Sequence, residues 1–389
     1  MGSGPNGPNG GGIDVLKPLF IYGTLCHLPL LEVVLGRLPA LQPALLPDHA
    51  VYWAEGHDFP LVVAQAGAAA HGYLLTDLGA EDIARLDYYE GPFGYVPQER
   101  QLNMGGQTVS ALVFMPKPGL WQPGARWQLQ DWVTRWGQVI VATARDMMAL
   151  YPAEIPMERR GAMVLRGAGR LRAAVPGANE LRRPLAEREV QVQNRSQPYA
   201  NFFAVEEYEL SFRRFDGTQS PVVKRAVFIS VDAVTVLPYD PVLDRVLLVE
   251  QFRMGPFARG DIQPWQLEPI AGRIDVGETP EDAARREALE EAGLTLGGLL
   301  PVSAYYPSPG AKIEYIYSYV ALTSLPDGTA IIGGAEDEAE DIKGHLMGFE
   351  DFAALVARGE ATSAPLLISY YWLERERARL RAQVRDAAG

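Results

Sequence analysis

Between Glu278 and Glu291 the chain sets five glutamates and an aspartate. Glu287 and Glu291 are four residues apart and Glu290 lies three beyond Glu287, so on a helix all three project toward one side. Like charges at that spacing destabilise an isolated helix by about 0.2–0.5 kcal/mol per pair. Three converging carboxylates form a site for a hard divalent cation, since Mg²⁺ takes oxygen ligands and keeps waters and substrate phosphate oxygens around it. The same residues also read as a solvated charged face with i,i+4 pairing, Arg286 with Glu290. The residue types alone leave both readings open.

The element that carries them is well delimited. Thr279 is placed as N-cap, Pro280 at the first helical position, and Glu281 and Asp282 in the first turn; Gly293 is placed to end the helix. Ala283, Ala284 and Ala288 keep one side thin enough to approach a sheet. The full pattern is Gly272, five residues, Glu278, seven residues, Arg286-Glu287, then Glu290-Glu291, Gly293 and Leu294. It resembles the signature box of the Nudix hydrolases, with Ala288 where that family usually has a bulkier aliphatic residue. The resemblance implies an α/β/α sandwich that binds Mg²⁺ or Mn²⁺ and hydrolyses a nucleoside diphosphate linked to another group. By that resemblance Glu287, Glu290 and Glu291 hold metal with the carbonyl of Ala271, while Glu278 and Arg286 pair and orient the helix.

Flanking stretches resemble the ADP-ribose pyrophosphatase branch: VLLVEQFRM (246–254), PWQLEPIAGRI (264–274) and YYPSPG (305–310). The resemblance implies cleavage of ADP-ribose to AMP and ribose 5-phosphate, with GDP-mannose, another sugar nucleotide, or non-hydrolytic binding as the other outcomes. It implies Glu338 as general base on the acidic loop GGAEDEAEDI (333–342) and Glu340 as a further metal ligand. Arg253 and Arg225 match phosphate contacts, and Ser308 and Glu314 match substrate-lining positions. Phe202 and Phe203 are placed either to stack on adenine or in a core. A homodimer through the Nudix domain is implied by the same branch.

The first half carries a second, shorter pair of motifs: YGTL (22–25) and LDYYEG (86–91), with Tyr95 just beyond. Together they resemble the γ-glutamylcyclotransferase-like (AIG2-like) family, which implies a small α+β β-barrel. There Tyr22, Gly23, Thr24 and Leu25 form a turn whose backbone N–H groups meet a substrate carboxylate, and Glu90 shuttles protons while 5-oxoproline is released. Such a domain also serves as a non-catalytic binding module. The order of the two domains resembles that of tellurite-resistance proteins.

The rest of the chain sets the frame. With 389 residues, 48% of them hydrophobic and 21% charged, two globular domains are expected. The reading divides them into a tail at 1–17, a first domain at 18–151, a connector with a basic helix at 152–192, and the Nudix domain at 193–389. Short strands are expected near 49–54, 61–65 and 71–76, and helical periodicity runs over 129–151. Cys26 is the only cysteine, which excludes an internal disulfide. A net charge of −13 argues against general binding of nucleic acid or anionic membrane. No apolar run is long enough to span a bilayer and the Gly/Pro/Asn-rich opening lacks signal-peptide regions, so a cytoplasmic protein is expected.

Overall fold

The computed structural model describes residues 17–153, 159–175, 177, 180–183, 185–186, 188–329, 332–333 and 341–388. Glu338 and Glu340 lie outside these residues, as does nearly all of the expected tail. The chain divides into two compact units at Met163/Val164.

The first unit runs β1 (Leu19–Ile21), α1 (Leu28–Leu35), β2 (Leu41–Ala54), β3 (Pro60–Leu75), α2 (Ala80–Glu90), β4 (Tyr95–Met104), β5 (Gln107–Pro116), β6 (Pro123–Arg126), α3 (Leu129–Trp132) and α4 (Gln138–Met148). Strands β3, β1, β5, β4 and β2 are bonded in that order, and β2 pairs back onto β3. The five therefore close into a barrel, the small β-barrel the sequence implied, with β6 added beside β2. Only the β1–β5 pair in the ring is parallel. The runs at 61–65 and 71–76 are one strand of 16 residues. A bulge between Pro47 and His49, bridged by the Gly67 N–H on Asp48 at 2.8 Å, bends the β2–β3 pair and carries pairing through the Ala/Gly-rich middle. The helical run after 129 is interrupted by a π turn at Val133–Gly137. Phe20, Leu30, Leu74, Leu86 and Trp132 are fully buried in this unit.

The unit boundary falls within α5 (Arg160–Ala173). The second unit continues with a three-stranded antiparallel sheet of β7 (Val190–Ala200), β8 (Ala204–Phe212) and β9 (Val223–Ile229). Its centre holds Glu206, fully buried and bonded by Arg166 at 2.5 and 3.0 Å, Arg195, Gln197 and Tyr208. Burial alone would raise its carboxyl, but the two guanidinium groups and the Tyr208 hydroxyl outweigh burial and hold it down at about 2.

The larger sheet contains β10 (Ala233–Asp240), β11 (Arg245–Phe252), β12 (Trp265–Glu268), β13 (Ile270–Arg273), β14 (Gly298–Tyr305), β15 (Ile316–Leu322), β16 (Ile332–Gly333) and β17 (Ile342–Gly348). Its main path is β14-β15-β10-β11-β17-β16. Strands β10 and β11 pair only where they meet, at Tyr239↔Val246 and Asp240↔Arg245, and then fork. In the fork β13 takes Ala233–Val236 of β10, and β12 takes Val249–Phe252 of β11. The helices are α6 (Met254–Arg259), α7 (Pro280–Ala292), α8 (Phe349–Arg358) and α9 (Ala364–Ala388).

Alternation along the central strands builds a core on each face. Val234, Val236, Leu247 and Val249 pack with Ala283, Ala284 and Ala288 of α7. Leu237, Tyr239, Val246 and Leu248 pack with Phe349 and Phe352 of α8 and Leu366, Tyr370 and Leu373 of α9. Helices on both faces of one sheet make this unit the α/β/α sandwich implied by the sequence. Ser230–Asp232 separate β9 from β10, so the chain leaves one sheet and enters the other.

Candidate functional site

Helix α7 is capped as its sequence dictates: Thr279 Oγ1 accepts the Asp282 N–H at 3.1 Å, and Gly293 closes the other end at φ 62°. Ala283, Ala284 and Ala288 are fully buried, which seats the helix close against β10 and β13. Arg286 lies at the hub of the acidic face. Its Nε and Nη2 grip both oxygens of Glu278 at 3.0 Å each, Nη1 donates to Glu287 at 2.7 Å and Glu290 at 3.0 Å, and Nη2 also donates to the Arg273 carbonyl at 2.8 Å. These bonds, that to Glu278 foremost, hold the guanidinium well above its ordinary range. The Asp275 N–H adds a bond to Glu278 at 3.1 Å.

The three carboxylates differ in setting. Glu291 is only 5% exposed, and the Ala271 N–H reaches its Oε2 at 3.4 Å. Glu287 folds over Gly272, where a Cβ would lie 1.8 Å from its Oε1. The Glu290 side chain is 54% exposed. Gly272 and Ala271 face Val234 and Thr235 across the β10–β13 ladder. Among the described residues no three acidic, histidine or cysteine side chains stand as a ready metal cluster; Arg286 draws Glu287 and Glu290 to itself. The donor set is all oxygen, which suits a hard divalent cation, and the bare backbone at Gly272 is what gives the Glu287 carboxylate its place.

The remaining second-unit candidates have partners of their own. Arg253 donates to Glu268 at 2.7 Å. Arg225 is exposed on β9 and bonds the Lys224 carbonyl. The Ser308 carbonyl accepts the N–H groups of Ala311 and Lys312, and Glu314 pairs loosely with Lys312 at 3.5 Å. Phe202 is 65% exposed, so the core reading of that aromatic does not hold. It stacks under the Arg273 guanidinium at 4.4 Å and meets Phe203 edge-on.

Comparison with known proteins gives the cluster its context. Residues 230–369 match the NUDIX domain family. Over 186 residues the chain is 37% identical to the ADP-ribose pyrophosphatase of Escherichia coli (strain K12), covering 48% of this chain and 88% of that protein. The chain belongs to the Nudix family. The ADP-ribose pyrophosphatase of Haemophilus influenzae is 34% identical over 197 residues, 50% of this chain and 90% of the relative. The GDP-mannose pyrophosphatase of Yersinia pestis is 31% identical over 159 residues, 41% of this chain and 78% of the relative. Residues 19–134 match the γ-glutamyl cyclotransferase, AIG2-like family.

The Nudix helix therefore sits where its box predicts, and Gly272 offers a direct check. Gly272→Ala should displace the Glu287 carboxylate and lower hydrolytic turnover on the order of 10- to 100-fold, with a much smaller effect on melting temperature. Steady-state kinetics beside a thermal melt would read both; wild-type turnover would show that the Glu287 position is not needed.

In the cyclotransferase-like unit, Tyr22, Thr24, Leu25 and Glu90 line one pocket together with Tyr95, Asp58 and Arg160. Gly23 shapes the turn twice over: its φ is 70°, and a Cβ would meet Pro60 Cγ at 2.2 Å. Residues Gly23–Cys26 form a single 3₁₀ turn directly after β1. The Tyr22 hydroxyl donates to the Phe114 carbonyl at 2.7 Å and the Tyr95 hydroxyl to the Pro60 carbonyl at 2.6 Å. Burial holds both phenols above their ordinary range. Burial also raises the Glu90 carboxyl to about 7, against the opposing pull of Arg160. Asp58 and Arg160 were missed as pocket residues, since nothing in the local sequence marks either.

No helix among the described residues is long and apolar enough to cross a membrane.

Proposed function

We propose that the second unit hydrolyses the pyrophosphate of ADP-ribose, giving AMP and ribose 5-phosphate, with Mg²⁺ or Mn²⁺ as cofactor. The observation that carries this reading is the Arg286-centred carboxylate cluster on a capped helix packed against β13, in a chain 37% identical to an ADP-ribose pyrophosphatase. Glu287, Glu290 and Glu291, with the Ala271 carbonyl and Glu340, are the residues that would hold the cation. A divalent cation there supplies charge neutralisation for the pyrophosphate and Lewis acidity toward its oxygens.

The chain's own residues do the positioning. The two bonds from Arg286 to Glu278 and the bond to the Arg273 carbonyl fix the helix against the turn before it, independently of Glu287 and Glu290. Arg225 and Arg253 supply positive charge for the phosphates, and the exposed Phe202 over Arg273 supports stacking with a base. Glu338 accepts the proton of the attacking water, a role that rests on the family resemblance.

A panel of nucleotide sugars assayed with Mg²⁺ and with a chelator tests the reading. ADP-ribose should be the preferred substrate and chelation should abolish turnover. Preference for GDP-mannose, on which one relative is named to act, would replace the substrate and leave the reaction class standing.

For the first unit the pocket supports cyclisation of a γ-glutamyl amine. The substrate α-amine nitrogen attacks its γ-carbonyl carbon, the amide C–N bond breaks, and 5-oxoproline and an amine leave. Glu90 takes the proton from the attacking nitrogen and returns it to the departing one. The supporting observation is Glu90 itself, partly buried on the pocket wall with its carboxyl near 7. Release of 5-oxoproline from γ-glutamyl amines tests this reading, and its absence across a broad panel favours a binding module.

A further inference from the structure

We propose that Arg160 anchors a substrate carboxylate in the first unit's pocket, and so sets its specificity for substrates carrying a carboxylate besides the one held by the 22–25 turn. The proposal rests on the cyclotransferase reading of that pocket. It adds a residue from outside the matched segment, which ends at residue 134.

Arg160 stands in the first turn of α5 and lines the pocket beside Glu90, Tyr22 and Thr24. Its side chain is only 15% exposed, so the guanidinium is withdrawn from bulk water. Two contacts fix it in place. Asp58 accepts from Nη1 at 3.0 Å and from Nη2 at 3.5 Å, and the Phe93 ring lies 4.3 Å from the guanidinium carbon. The bonds to Asp58 use two of the five N–H donors a guanidinium carries. The others meet no protein acceptor among the described residues.

An arginine serving only a packing role would not need to line an open pocket beside Glu90. A guanidinium held by an acid on one side and an aromatic face below is preorganised for a planar anion on its free edge. A carboxylate fits that edge in shape and charge. With one carboxylate assigned to the 22–25 turn, the carboxylate on the leaving amine is the one left for Arg160.

The test uses the full-length protein and two probes, γ-glutamyl-alanine and γ-glutamyl-ethylamide, which differ by the second carboxylate. Wild type should show the lower KM for γ-glutamyl-alanine. Arg160→Gln should raise that KM on the order of 10- to 100-fold and leave the KM of the ethylamide within a few fold, while kcat shifts together for both probes because Arg160 also draws the Glu90 carboxyl down. Arg160→Lys, which keeps the charge but not the planar fork, should fall between. Equal KM changes for both probes would overturn the anchor. If wild type turns over neither probe, the cyclotransferase reading fails, and calorimetry with γ-glutamyl-alanine decides the anchor alone. Binding to wild type that is lost in Arg160→Gln supports it; binding unaffected by the substitution, or no binding to wild type, overturns it. A thermal melt of each variant excludes unfolding as the cause.

Discussion

Glu291→Gln is expected to lower the proposed ADP-ribose hydrolysis on the order of 100-fold or more while the second unit stays folded. Of the three box carboxylates Glu291 is the most withdrawn from water, at 5% exposure, with the Ala271 N–H on its Oε2. A negative charge is costly in such a place unless something offsets it. Three acids on one side of the helix repel one another, and Arg286 offsets this at Glu287 and Glu290. Glutamine keeps the shape and an oxygen for Ala271, so packing of the α7 alanines on β10 and β13 is undisturbed. What it removes is the anionic charge that a divalent cation needs. The exposed Glu290 should be the gentler site, because neighbouring water can replace part of what its carboxylate supplies. Turnover at rising Mg²⁺, read beside a thermal melt, checks the prediction: a loss in Glu291→Gln with an unchanged melt is expected. Wild-type turnover in that variant would remove Glu291 from the catalytic set.

Much of this cluster was legible because it is local. The cap at Thr279, the stop at Gly293, the alanine side and the i,i+3 and i,i+4 carboxylates all lie within one helix and its ends, where spacing fixes direction. The Glu278–Arg286 pair spans only eight residues. The two-unit architecture was legible for a similar reason, since each half carries its own motif. The fork between β10 and β11 was not, because which strand fills a gap depends on register far along the chain. Arg160 was read as a connector residue; its partner Asp58 is 102 positions away, and no periodicity links them. Arg166, another of the connector arginines, is buried on Glu206 across 40 positions. The exposure of Phe202 was likewise undecidable from composition, since an aromatic beside a strand serves a core and a surface equally well.

Glu90→Gln carries the second large effect, and its sign reverses between activity and stability. Burial lifts the Glu90 carboxyl from 4.5 to about 7, with Arg160 pulling the other way. A general base works in its ionised form, so the proposed release of 5-oxoproline by wild type should rise through about pH 7 on its acid limb. The glutamine variant has no group to carry the proton, and its turnover should fall on the order of 100-fold or more at every pH. Stability follows from linkage. Between the unfolded value of 4.5 and the folded value of about 7 the folded state binds more protons than the unfolded one, so stability falls as pH rises through that window and levels off above it. Glutamine removes the ionisation and its cost. The variant should therefore match wild type below about pH 4.5 and exceed it at pH 8, by on the order of 2 kcal/mol given that Glu90 is only partly buried. Denaturant melts at pH 4.5 and pH 8 read the difference directly. A gain in stability at pH 8 together with lost turnover is the pairing expected of a carboxylate kept in an unfavourable place for its chemistry; equal stability at both pH values would place Glu90 in contact with solvent and outside the reaction.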